Sequence, residues 1–141
     1  MDNKLQATVD IGSHSCILLI AAFEDAPASS PAETAEAEVK PRQILVPKLQ
    51  KVEICRLGED IYEHGAITPA RIEELSRVLT KFRMDLHALG ADLKAAVMTE
   101  AMRKASNPDE VLDAAEKALW MRPRIISGEE EGKLTYRSVK E

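Results

Sequence analysis

The chain has 141 residues, 45% of them hydrophobic and 30% charged, with a formal net charge of −5. That length holds one domain with a real core, and not two. The acidic balance shows no basic stripe to neutralise phosphates, which argues against non-specific nucleic-acid binding, and Phe23, Tyr62, Phe82, Trp120 and Tyr136 are too few for a base-stacking surface.

The N-terminus, MDNKLQATVD, lacks the long apolar stretch of a signal peptide, and no apolar run reaches the roughly 20 residues of a membrane span. A cytoplasmic protein is the expectation, without membrane or nucleic acid as partners. Leu5 to Ile11 alternates apolar and polar residues and predicts a strand; Cys16 to Phe23 is apolar throughout and predicts a second strand buried on both faces. Between them lies the turn Asp10-Ile11-Gly12-Ser13-His14-Ser15. Gly12 lets backbone approach a ligand closely, so successive N–H groups can hold an anion. Asp10 would repel the anion and suits a metal ion or water beside it. Taken alone, the same turn is also that of an ordinary hairpin. Cys16 and the later Cys55 both fall in apolar, strand-like contexts and suit buried thiols in a reducing compartment better than a disulfide.

Residues 24–47 are rich in Ala, Pro, Glu and Ser and predict a mobile insertion between strands rather than a domain linker. Pattern returns at Ile44-Leu45-Val46 and again from Leu49 to Leu57, with Pro47 suggesting a bulge or break. Gly58 to Ile67, bracketed by glycines, reads as a loop. Thr68-Pro69 then starts a long helix, whose stripe runs Ile72, Leu75, Leu79, Phe82, Leu86, Leu89 until Gly90 stops it. Leu93 to Thr99 predicts a strand. Asn107 and Glu110 predict a capping box opening a helix with the stripe Val111, Leu112, Ala115, Leu119, ended by Arg122-Pro123. Arg124-Ile125-Ile126 predicts a short buried strand, and Ser127 with Glu130 a second capping box opening a last helix with Leu134 and Val139 on one face. Three meandering strands followed by strand–helix units predict an α/β fold, a mixed five-stranded sheet with flanking helices.

In that topology the first turn, Arg56-Leu57-Gly58, Thr99 to Arg103 and Gly128 to Glu131 can line one edge of the sheet. Arg103 could grip a phosphate with a bidentate fork, or serve a surface salt bridge. Glutamates in a first helical turn also suit the helix dipole. Because Ser127 and Glu130 serve the cap, Glu131 is the one expected to face the cleft, where a carboxylate can deprotonate an attacking water. No metal-ligand spacing occurs, so zinc is not expected and metal ligands stay unassigned.

At these residues the chain resembles the exopolyphosphatase / guanosine pentaphosphate phosphatase family of the actin-like ATPase superfamily. The matching stretches are VDIGSHS (9–15), RLGED (56–60), GAITPARI (65–72), TEAMRKASN (99–107) and IISGEEEGKL (125–134), in the family's order and over the whole chain except 24–47. The resemblance implies a ribonuclease-H-like fold and hydrolysis of a terminal phosphate from polyphosphate or pppGpp with magnesium. It makes Asp10, Gly12, Ser13, His14 and Ser15 one of two phosphate-binding loops, Arg103 a phosphate ligand and Glu131 the catalytic glutamate. Three features depart from it. His14 stands where the family usually has Asn, and Glu130-Glu131 is followed by Gly132-Lys133 where the family has Ala-Arg. The family's second glycine-rich phosphate loop and second lobe have no counterpart in residues 1–141. The expectation is therefore a single N-terminal lobe carrying half of an active site, inactive by itself, with the second lobe as partner. The alternative is a catalytically inactive regulatory domain that binds phosphate or nucleotide. An uncovered apolar face could also pair two copies as a homodimer.

Overall fold

The structure, a computed structural model, describes residues 4–27 and 42–133. Strand β1 (Gln6–Ile11) buries Ala7, Val9 and Ile11 and exposes Thr8 and Asp10, the two-residue alternation of a pleated strand. β2 (Ser15–Asp25) returns antiparallel, with Cys16 opposite Ile11. Cys16, Leu18 and Ile20 are fully buried, but Ile17 and Leu19 are only half-buried. The expectation of burial on both faces fails because the described helices join their apolar stripes to one face of the sheet, the face of Val9, Ile11, Leu18 and Ile20.

β3 (Gln43–Ile54) runs back along β2, from Gln43 opposite Asp25 to Ile54 opposite Ser15. Ile20 faces Leu49 and Ala21 faces Pro47, so Lys48 is the extra residue of a bulge, and the break read at Pro47 is a kink within one strand. Both ends of the 24–47 segment are strand: Glu24 pairs with Ile44, and the Ala26 N–H donates to the Arg42 carbonyl at 2.8 Å. Its interior, residues 28–41, lies outside the described residues.

The glycine-bracketed stretch expected as a loop is instead a helix, α1 (Leu57–His64), ended by Gly65 at φ 68°. Burial explains it. Leu57 is fully buried, and the buried Asp60 carboxylate accepts from the Thr68 amide at 2.9 Å, the Thr68 hydroxyl at 2.7 Å and Arg71 Nε at 3.3 Å. Asp60 thus ties α1 to the first turn of α2 (Pro69–Leu89), whose own cap is Thr68 Oγ1 accepting from the Arg71 amide at 3.3 Å. Leu75, Leu79, Phe82 and Leu86 carry the expected stripe into the core; Leu89, at 47% exposure, does not.

β4 (Asp92–Met98) lies parallel to β1, and a 3₁₀ turn (Glu100–Lys104) leads to α3 (Pro108–Leu119). Asn107 does not cap α3. Its amide instead brackets Ile67, accepting from the Ile67 N–H at 2.9 Å and donating to the Ile67 carbonyl at 2.8 Å, with Glu110 at 3.3 Å from the same nitrogen. Ile67 is buried, so its backbone groups need partners more than the helix start does. α3 stops at Trp120, at φ 60°, ahead of Arg122-Pro123. β5 (Arg124–Ile125) pairs parallel with β4, and α4 covers 128–133; Leu134 and Val139 lie outside the described residues.

The sheet order is β3-β2-β1-β4-β5, mixed and five-stranded as expected. β1, β3, β4 and β5 point the same way, so the loops leaving all four open on one edge. No helix among the described residues is long and apolar enough to cross a membrane.

Burial pushes the Asp60 carboxyl up, but hydrogen bonds from Thr68 and Arg71 outweigh it and hold its pKa below the ordinary value. The folded state therefore binds this proton less tightly than the unfolded chain. The resulting stability is complete above the unfolded pKa of about 3.9 and is lost as the pH falls through the lower folded value. Urea titrations should show Asp60→Asn costing about 1–3 kcal/mol at pH 7. The gap to the parent should narrow below about pH 4.

Candidate functional site

The edge is built around the 12–14 turn joining β1 to β2. Gly12 closes it by donating its N–H to the Ser15 carbonyl at 2.9 Å, and a Cβ on Gly12 would lie 3.1 Å from that oxygen. The other two carbonyls are gripped from the side. Gly58 donates to Ser13 O at 2.8 Å; Cys55 and Arg56 donate to His14 O at 2.9 and 3.1 Å. Among the described residues, no acceptor takes the amides of Ser13 or His14. With its carbonyls held by the protein, the turn can offer N–H groups to an anion.

Two residues make this grip possible. Arg56 adopts φ 50°, left-handed backbone that is unusual for arginine, so that β3 can bend into α1 with its own amide aimed at His14. Gly58 approaches so closely that a Cβ there would meet the Ser13 Cβ at 3.1 Å and the Ser13 carbonyl at 3.3 Å. The sequence marked Arg56-Leu57-Gly58 as an edge feature but gave no sign of the clamp. Its only local trace is a glycine placed inside a helix, where it costs about 1 kcal/mol relative to alanine.

Asp10 is exposed at the end of β1, flanked by Ile17 and Val97 on the neighbouring strands. Its carboxyl pKa is raised, first by partial burial and second by the negative charge of Glu131. The charge of Glu131, more than a hundred residues away in sequence, thus reaches Asp10. Glu131 reaches it because α4 starts there: Ser127 Oγ accepts from the Glu130 amide at 3.1 Å and Ser127 O from the Glu131 amide at 2.9 Å. The Glu130 carboxylate does not complete the expected box; it turns to Arg124 at 2.7 Å. Arg103 sits on the 3₁₀ turn after β4, exposed, on the same edge as the turn. Among the described residues no salt bridge to Arg103 is found. The Thr99 amide bonds Ile11 O at 3.3 Å, joining the exits of β1 and β4, while Thr99 Oγ1 is buried without a partner among the described residues. His14 and Ser13 are exposed and Ser15 is half-buried. No cluster of three or more His, Cys, Asp or Glu side chains suited to a metal ion occurs among the described residues.

The sequence profile of the Ppx/GppA phosphatase family matches residues 36–141. The chain belongs to that family. Among its relatives is a guanosine-5'-triphosphate,3'-diphosphate pyrophosphatase of Aeromonas hydrophila, 30% identical over 138 residues, which are 98% of this chain and 24% of that protein. A bifunctional 3-dehydroquinate synthase/phosphatase of Fusobacterium nucleatum is 26% identical over 140 residues, 98% of this chain and 19% of that protein. The crystal structure of the Aquifex aeolicus Ppx/GppA family member superposes with a TM-score of 0.77 at 29% identity, over 96% of this chain and 39% of that one. An exopolyphosphatase from Cytophaga hutchinsonii shares the fold at 22% identity, with a TM-score of 0.71 over 96% of this chain and 38% of that one. The chain thus spans about a fifth to a quarter of the curated relatives' length. Its mixed five-stranded α/β sheet is the actin-like ATPase fold of those Ppx/GppA structures.

The clamp on the family's first turn is testable by opposite substitutions. Gly58→Ala should destabilise the chain by about 1–3 kcal/mol, because backbone and Cβ of Ser13 must give way. Arg56→Gly should instead be neutral or stabilising by up to about 1 kcal/mol, because glycine adopts positive φ without strain. Denaturant midpoints on the two variants check both signs.

Proposed function

We propose that the chain is the N-terminal lobe of a phosphohydrolase that removes the terminal phosphate of inorganic polyphosphate or pppGpp. The observation that carries this reading is a turn at the exit of β1, next to Asp10, whose Ser13 and His14 carbonyls are already bound by the protein. A terminal phosphate resting on the amides of Ser13 and His14, with the hydroxyls of Ser13 and Ser15 alongside, would have its charge met by dipoles fixed in advance. Arg103, exposed and without an ion-pair partner among the described residues, can close on the phosphate from the β4 side. Glu131 holds and deprotonates the attacking water, and the proton passes to its carboxylate.

Magnesium fits the residues present. Asp10, whose carboxyl is pushed up by partial burial and then by the charge of Glu131, leaves negative charge that a cation would relieve. An oxygen-only set of one or two carboxylates completed by substrate phosphates is the usual environment of Mg²⁺. Asp10 is the residue we assign to it, and when bound the ion would neutralise charge on the transferred phosphoryl group. The opposite wall of the site belongs to a second lobe in this reading, and the protein works in the cytoplasm.

A second reading, a regulatory domain that binds phosphate or nucleotide without turnover, draws on His14 in the turn and on Gly132-Lys133 after the glutamates. Phosphate release from polyphosphate and from pppGpp with magnesium, measured on the full-length protein, separates the two. Glu131→Gln should lower kcat by about 10²–10⁴-fold with little change in substrate affinity. Arg103→Lys, which keeps the charge and loses the fork, should act mainly on KM. Tight binding without turnover would favour the regulatory domain, and full activity in Glu131→Gln would remove Glu131 from the chemistry.

A further inference from the structure

Cys16 and Cys55 lie 39 positions apart in sequence, yet their sulfur atoms stand 3.1 Å apart, with the Cys16 thiol donating to the Cys55 sulfur. Both are free and fully buried. Cys16 is the second residue of β2, and Cys55 follows the last residue of β3, where the chain turns into α1. The Cys55 sulfur also lies 3.8 Å from the Gly12 carbonyl, and its amide is one of the two that hold His14 O. The pair therefore sits directly beneath the 12–14 turn. A disulfide requires sulfurs about 2.05 Å apart, roughly 1 Å closer than these.

We propose that Cys16 and Cys55 are a redox site that closes into a reversible disulfide, bolting the start of β2 to the β3–α1 junction. The proposal is independent of the phosphohydrolase reading.

The oxidant is a small-molecule disulfide. Cys55 is the attacking sulfur: the Cys16 hydrogen bond, with help from the Leu57 amide, holds its pKa below the ordinary value against the effect of burial. Its thiolate attacks one sulfur of the small disulfide, that S–S bond breaks, and one small thiolate leaves and takes up a proton. Cys16, losing its own proton to solvent, then attacks the Cys55 sulfur and expels the second small thiol. Two protein thiols are oxidised and one external disulfide is reduced to two thiols. Both sulfurs are buried, so the state reached at equilibrium is the quantity to read.

The test is equilibration of the full-length protein in glutathione buffers stepped from reduced to oxidised, followed by acid quenching, alkylation and peptide mapping. The expected result is a Cys16–Cys55 cross-linked peptide that accumulates with the oxidised fraction and disappears on return to reduced buffer. Cys16→Ser should leave Cys55 as a mixed disulfide with glutathione, which the parent does not accumulate. Recovery of both cysteines alkylated in the most oxidising buffer would overturn the proposal. So would a parent protein that stops at the mixed disulfide.

Discussion

The backbone donors of Cys55, Arg56 and Gly58 do two things at once when they take the carbonyls of Ser13 and His14. They satisfy backbone groups of the turn and of the β3–α1 junction, of which Cys55 is buried. They also fix the orientation of the 12–14 peptides, leaving the opposite side of those peptides as donors. The orientation of these peptides is thus a by-product of where β3 ends and α1 begins. Leu57, fully buried one residue after Arg56, and Asp60, held by Thr68 and Arg71, anchor α1. Through this chain of contacts the long helix α2 supports a turn it does not touch.

The same economy brings the remaining residues to the edge. Four strands pointing one way deliver four loops to one side, so Asp10, Arg103 and Glu131 need no long-range search for one another. Partial burial, and after it the charge of Glu131, raise the Asp10 carboxyl pKa.

Much of this was legible in the residues. The period of two in β1, the stripe from Leu75 to Leu86 and the Thr68-Pro69 start all act locally, so a local reading finds them. The five family stretches located the edge for the same reason. What escaped were tertiary substitutions for local rules. α1 was invisible because its anchors are Asp60 reaching across to Thr68 and two core residues, Leu57 and Ile61, too few to read as a stripe. Asn107 carries the sequence of a cap and the contacts of a clasp on Ile67, since a buried backbone outranked an exposed helix end. β2 looked doubly buried because composition does not say which face a helix will choose. The contact of Cys16 with Cys55 joins two separate strands through a register that the bulge at Lys48 shifts by one.

That bulge has a bearing on how the molecule behaves among its own copies. β3 is an edge strand of 12 residues, and Val52 and Ile54 on it are 56% and 53% exposed. A flat edge of that length would invite another chain to add a strand. Pro47 offers no N–H, and Lys48 breaks the ladder and puts a charge at the kink. Strand addition along the whole of β3 is thereby interrupted, leaving Leu49 to Ile54 as its longest regular run. The irregularity that reads as a flaw in the strand is a guard along the open edge of the sheet.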